Sequence, residues 1–264
     1  MNGNQRCFAV SVFCLTSALF TAGLSPTVLA SAPTLKLDVG AYYSEGDYSL
    51  KESTRISGAP LSIRYRGWPW KIKLSTMWVG LDGPGTLSDG DVSNDRDDVR
   101  RNESGMGDTS LTLEREGVFG QAHHWYWNLG MRVKFPTGDE KKGLGTGEFD
   151  YEPRFTLMYL AWPMKPYLMG KYTLKGDDKA NPYENTLGAT LGASYAPIED
   201  FTLGLQFSGR QASVEDGQGR LEALVNGEYR LDRQWKVGAY MIKGLKDGSP
   251  DWGSGVTLSY EWGL

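Results

Sequence analysis

The chain has two cysteines, Cys7 and Cys14, and none after them. Beyond residue 14, disulfide frameworks, zinc–cysteine sites and thiol nucleophiles are therefore excluded. Histidine is almost as scarce. His123 and His124 are the only two, and adjacent residues on a strand point to opposite faces, so they do not chelate one metal together. No serine stands at strand spacing from either imidazole, so no catalytic residue is assigned and an enzyme is not expected. Neither a metal nor a cofactor is implied. Net charge is a mild −4 with no basic block, which gives no reason to expect nucleic acid as a partner. Past residue 33 no apolar run approaches the ~20 residues of a membrane-spanning helix.

The one long apolar run lies at the start. Arg6 precedes "CFAVSVFCLTSALFTAGL", followed by Ser25, Pro26 and small residues up to "VLASA". This is the pattern of a secretory signal peptide over residues 1–30, with cleavage expected after Ala30 and Ala32 as the second choice. Both cysteines fall inside it. Phe13 precedes Cys14 where a lipoprotein needs a small residue, so lipidation is not expected. Residues 31–264 then form the mature chain.

What the full sequence has in quantity is glycine (34), tyrosine (14) and tryptophan (9). It also alternates with a period of two. In "FTLGLQFSGR" Phe201, Leu203, Leu205 and Phe207 share a face against Thr202, Gln206, Ser208 and Arg210. "NTLGATLGASYA", "RLEALVNGEYRL" and "GVTLSYEWGL" behave alike, and such alternation predicts strands. About twelve runs are expected, near 34–45, 53–66, 69–80, 106–116, 124–136, 149–161, 166–176, 184–196, 200–213, 220–231, 235–244 and 252–264. Most are close to the ~10 residues of a tilted membrane strand.

Their connections alternate in kind. "GWP", "GVFGQAHH", "WPMK", "PIED" and "DRQ" are short, whereas the intervening links are longer or more polar, above all the acidic 82–105 stretch. Trp68, Trp70, Trp125, Trp127, Trp162, Trp235 and Trp262 sit beside the short turns, where an interfacial girdle belongs. The predicted fold is all-β: a transmembrane antiparallel barrel of about twelve strands in a Gram-negative outer membrane, with lipid and lipopolysaccharide around it. Closure would pair the backbone groups that hydrocarbon leaves unsatisfied.

If apolar positions face lipid, the charged ones line the interior. Lining candidates are Lys36, Arg64, Arg66, Lys71, Lys73, Arg132, Lys134, Glu152, Arg154, Lys171, Arg210, Glu222, Glu228 and Arg230. Two readings stay open: a network of paired charges that fills the lumen, or a basic pore favouring anionic solutes. "DGDVSNDRDD" (Asp89 to Asp98) spaces oxygen ligands like a calcium loop. It lacks the glycine at the sixth position and the closing glutamate, and reads as an acidic surface loop.

Two motifs add a family. "GMGDTSLTLE" (Gly105 to Glu114) opens a strand with a Gly-x-Gly-Asp turn, and "KFPTGDEKKGLGTGEFD" (Lys134 to Asp150) follows. Together they resemble the outer-membrane proteins grouped as the meta-pathway phenol-degradation family. Phe135, Pro136, Thr137, Gly138, Asp139, Leu144, Gly145, Thr146 and Gly147 carry the resemblance. It implies a transporter-like barrel passing small, often aromatic or apolar, compounds. Pro136 suits a strand end, and Gly145, Thr146 and Gly147 form either a plain structured loop or an anion-friendly nest. Leu264 departs from the aromatic final residue usual in substrates of the barrel-assembly machinery, but Tyr260 and Trp262 keep the alternation. The expected function is a pore or facilitated-diffusion channel for small solutes. The alternative is a non-transporting adhesion or structural barrel acting through the 82–105 loop.

Overall fold

The computed structural model describes residues 32–48, 50–88, 91–93, 100–120, 124–176, 183–214 and 217–264. Residues 1–30, where a signal peptide is expected, His123, and positions 89–90 and 94–99 of the acidic loop lie outside the described residues.

The alternating runs form strands β1 (Thr34–Gly46), β2 (Thr54–Gly67), β3 (Trp70–Gly83), β4 (Thr86–Ser88), β5 (Asp91–Ser93), β6 (Arg101–Met106), β7 (Thr109–Phe119) and β8 (Trp125–Phe135). They continue as β9 (Asp150–Tyr159), β10 (Met164–Thr173), β11 (Thr186–Ile198), β12 (Phe201–Arg210), β13 (Arg220–Arg230), β14 (Trp235–Gly244) and β15 (Trp252–Gly263). Sequential strands pair antiparallel, and β1 closes on β15 from Thr34↔Gly263 to Glu45↔Trp252. β4 and β5 form a separate hairpin. β6 and β7 are two halves of one stave: β3 pairs with β7 along its first half and with β6 along its second. Twelve staves therefore close the barrel.

The 82–105 stretch is less of a loop than its acidity suggests. β3 runs through Gly83, the β4–β5 hairpin follows, and β6 begins at Arg101. The stave breaks at Gly107–Asp108, because β8 has already ended at Phe135 and gives β6 no partner on that side. The chain after β8 folds back to cover this edge. Thr109 N–H donates to the Thr137 hydroxyl (2.8 Å), and Leu87 N–H donates to the Gly143 carbonyl (2.8 Å). An uncovered edge would present a row of unpaired amide groups.

The pleat sorts side chains to two sides. On β11, Leu187, Leu191 and Tyr195 face outward, Leu191 being 61% exposed, while Thr186, Gly188 and Thr190 are buried inside. Leu74, Leu129, Phe155, Leu168, Val225 and Met241 extend the same apolar exterior around the barrel. So continuous an apolar surface belongs against hydrocarbon, which places the chain in the outer membrane. No helix among the described residues is long and apolar enough to cross a membrane. At the short-turn end Trp125 packs against Phe119 and meets Tyr159 edge-on, and Trp235 meets Tyr260. On β3 the outward Trp70 and Trp78 are eight positions apart. That is ~26 Å along the strand and roughly 20 Å across the membrane at the usual tilt, close to the height of an outer-membrane apolar band.

Candidate functional site

The site is the interior of the barrel, and it is layered. At the short-turn end Glu116 of β7 is sealed from solvent. Arg66 Nε donates to its Oε1 (3.0 Å), Lys71 Nζ lies 2.6 Å from Oε2, and the buried Tyr126 hydroxyl donates to Oε2 (2.7 Å). Two cations thus share one carboxylate, with a phenol holding it in place.

Further along the strands two more carboxylates act as hubs. Asp38 pairs with Lys36 (2.9 Å) and Arg64 (3.9 Å) and accepts from the Ser62 (3.2 Å) and Ser259 (2.6 Å) hydroxyls. Glu152 pairs with Arg154 and with Lys171 (3.1 Å), and accepts from Thr173 (3.0 Å). Arg132 lies directly across the strand pair from Glu152. Across β15 from Asp38, Lys236 bridges Glu228 (4.0 Å) and Glu261 (3.5 Å), with Arg230 opposite it in register. Arg220 stands 4.0 Å from Glu222 and opposite the buried Arg210. Lys73 lies across from Arg64. Most of the predicted lining residues are locked into short-range pairs. Burial leaves little dielectric screening, so each hub resists loss of a partner.

Toward the longer loops the family motifs meet. Lys134 of β8 is 1% exposed. Its ammonium donates to Thr146 Oγ1 (2.6 Å) and pairs with Asp150 (3.1 Å) and Asp108 (3.3 Å). Asp108, from the Gly-x-Gly-Asp turn, also accepts from Gly138 N–H (2.9 Å), and Thr137 donates to the Gly107 carbonyl (3.2 Å). Pro136 ends β8 and directs the chain into this turn. Asp139 caps a short 3-10 turn, Glu140–Lys142, through the amides of Lys141 and Lys142. The turn stops at Gly143, whose φ of 71° only glycine adopts without strain. A Cβ on Gly145 would lie 2.6 Å from Asp108 Oδ1, and one on Gly147 2.6 Å from Glu140 Oε2. Carboxylates of the protein itself stand where an anion would approach these glycines. The motifs are a latch that fastens residues 136–149 to the break between β6 and β7.

Beyond the latch the lumen turns apolar, which the alternation did not foresee. Tyr42, Ile56, Met77, Val79, Leu81, Leu224 and Ile242 share the inward face with the charged residues nearer the short turns. Tyr48 and Leu50 from the first long loop, Leu87 and Leu144 pack onto them. Arg220 lies over the Tyr48 ring at 5.2 Å. The charged residues that sequence reading passed over include Asp108, Glu116 and Arg220. Glu116 and Arg220 each lie two residues from an inward acid, Glu114 and Glu222, so both were open to extrapolation. Asp108 pairs through the loop and gives no periodic signal. Among the described residues no His/Cys/Asp/Glu group could hold a metal. His124, exposed, packs near Tyr159 at 5.8 Å, an interfacial placement.

A closed twelve-stave cylinder with an apolar exterior, an aromatic girdle and a layered interior defines an outer-membrane β-barrel. Over residues 70–262 the sequence matches the family described as "Putative MetA-pathway of phenol degradation", and the chain belongs to that family. No curated protein matches it. Among solved structures it is similar to the COG4313 outer membrane channel from Pseudomonas putida F1. That pair shares 13% identity, covers 91% of this chain and 100% of that one, and has a TM-score of 0.66. It is also similar to the KdgM porin, with 11% identity, 85% and 98% coverage and a TM-score of 0.55. Both are channels rather than enzymes by name. At these identities the likeness is one of fold.

Proposed function

We propose that the barrel is an outer-membrane channel for small apolar or aromatic solutes. The observation that carries this is the apolar inner wall built by Met77, Val79, Leu81, Leu224 and Ile242. A barrel lumen filled with water gains nothing from an apolar wall, whereas an apolar solute gains roughly 25 cal/mol for each Å² it removes from water. The family's description, which refers to phenol degradation, supports an aromatic cargo. Tyr48, Leu50, Leu87 and Leu144 cover the wall, so passage requires the long loops to part and the solute to replace their side chains. The paired charges below keep the cylinder rigid while that happens.

The test uses cells whose lipopolysaccharide leaflet slows apolar probes. Expression should speed the entry of phenylnaphthylamine over empty-vector cells. Met77→Glu and Leu224→Glu should abolish the gain while the folded, heat-modifiable band persists. No gain from the folded wild-type barrel would refute the channel. Deleting residues 89–99 addresses the adhesion alternative: a channel keeps its uptake. Residues 1–30 are read as a signal peptide removed on export, with insertion by the barrel-assembly machinery. N-terminal sequencing of the membrane-inserted protein should begin at Ser31.

A further inference from the structure

Cross-strand neighbours form rows around the inner wall, and one row is charged in an unbalanced way. Lys36 lies opposite Arg64, Arg64 opposite Lys73, Lys73 opposite Thr112, and Thr112 opposite Arg132. Like charges directly opposite each other destabilise a sheet unless something neutralises them. Lys36 and Arg64 share Asp38, and Arg132 faces Glu152. Lys73 is different. It is 9% exposed and makes no hydrogen bond or ion pair with any described residue. Of the strongest charges acting on it, Arg64, Arg132 and Arg154 repel and Asp38 attracts. A lysine that is nine-tenths buried, with its charge among guanidinium groups, is costly without a counter-charge.

The surroundings say what that counter-charge is. Arginine forks match the two oxygens of a carboxylate. Along β3 the inward positions after Lys73 are Ser75, then Met77 and Val79, so the apolar wall starts about 13 Å outward of the cationic row. We propose that Lys73, flanked by Arg64 and Arg132, binds the carboxylate of a small organic acid whose apolar body points toward the outer half of the lumen. This assigns the channel a substrate class and rests on the channel reading above.

The experiment compares phenylbutyrate with phenylbutanol, its neutral counterpart, by isothermal titration into the refolded full barrel in a non-ionic detergent. Phenylbutyrate should bind about tenfold or more tightly than the alcohol, and added salt should weaken only the acid. Lys73→Met should remove the difference, and Lys73→Arg should keep it. Lys73→Met folds at least as stably as wild type, because it deletes an uncompensated charge, so its loss of binding is not a folding defect. Equal binding of acid and alcohol, or undiminished acid binding by Lys73→Met, overturns the proposal. If the acid is not preferred but wild-type cells still take up phenylnaphthylamine, the carboxylate site falls and the channel stands. If uptake fails too, both fall.

Discussion

Lys134→Met is the sharpest perturbation of the latch. The substitution keeps the length of the side chain and removes its charge. Lys134 pairs with both Asp108 (3.3 Å) and Asp150 (3.1 Å). Breaking a buried ion pair from one side costs ~3–5 kcal/mol, because the remaining charge is stranded. Asp150 is only partly stranded, since it retains Lys175 at 3.0 Å and the Gly176 amide. Asp108 keeps the Gly138 amide. The lower end, about 3 kcal/mol, is therefore expected. Urea unfolding of the barrel in lipid vesicles, followed by tryptophan fluorescence, measures it as a shifted midpoint at unchanged slope. Freed from the latch, the exposed Lys141 and Lys142 should become trypsin sites in the folded protein. Adding Asp108→Asn should recover part of the loss, since the two residues couple. A loss below about 1 kcal/mol with Lys141 and Lys142 still protected would refute the latch.

Three further outcomes follow from other parts of the molecule. Gly138→Ala places a Cβ 2.5 Å from the Leu144 carbonyl oxygen, a backbone atom with little room to move, so it should expose the same trypsin sites without removing any charge. Leu191→Arg puts a charge on the most exposed part of β11 and should cost roughly 2–4 kcal/mol in the same unfolding assay if that position is near mid-membrane. In the short turn after β13, the Trp235 and Gln234 amides donate to Asp232 and hold its carboxyl below the usual range. A depressed folded value stabilises above the unfolded value, ~3.9, and that contribution vanishes as pH falls through the folded one. Wild type should therefore exceed Asp232→Asn in stability near neutrality, and the two should converge in acid.

The architecture was legible because a barrel wall writes its geometry into every second residue. Leu203, Leu205 and Phe207 against Gln206, Ser208 and Arg210 set β12 before any coordinates. Short and long links set the strand directions, and tryptophans marked one boundary. What alternation lacks is any distinction between a lumen that is wet and one that is packed. On β3, Lys71, Lys73 and Ser75 share a face with Met77, Val79 and Leu81, and period two treats the six alike. The clue was the nearly unbroken apolar run from Met77 to Leu81, which reads as a strand buried on both faces. The β4–β5 hairpin hid because three-residue strands carry no period. The latch was visible as motifs and opaque as mechanism: Asp108 and Gly138 are 30 residues apart and meet only because the stave between them breaks.

The account stands on the two faces of the wall, and β11 tests them most directly. Spin labels placed singly at residues 187 to 193, in the barrel reconstituted in lipid, report contact with oxygen dissolved in hydrocarbon and with a water-soluble nickel chelate. Oxygen contact should peak at 187, 189, 191 and 193 and fall at 188, 190 and 192, following the pleat and the alternating burial of Thr186 to Leu191. A profile without that two-residue period, or chelate contact at 191 equal to that at 190, would contradict it.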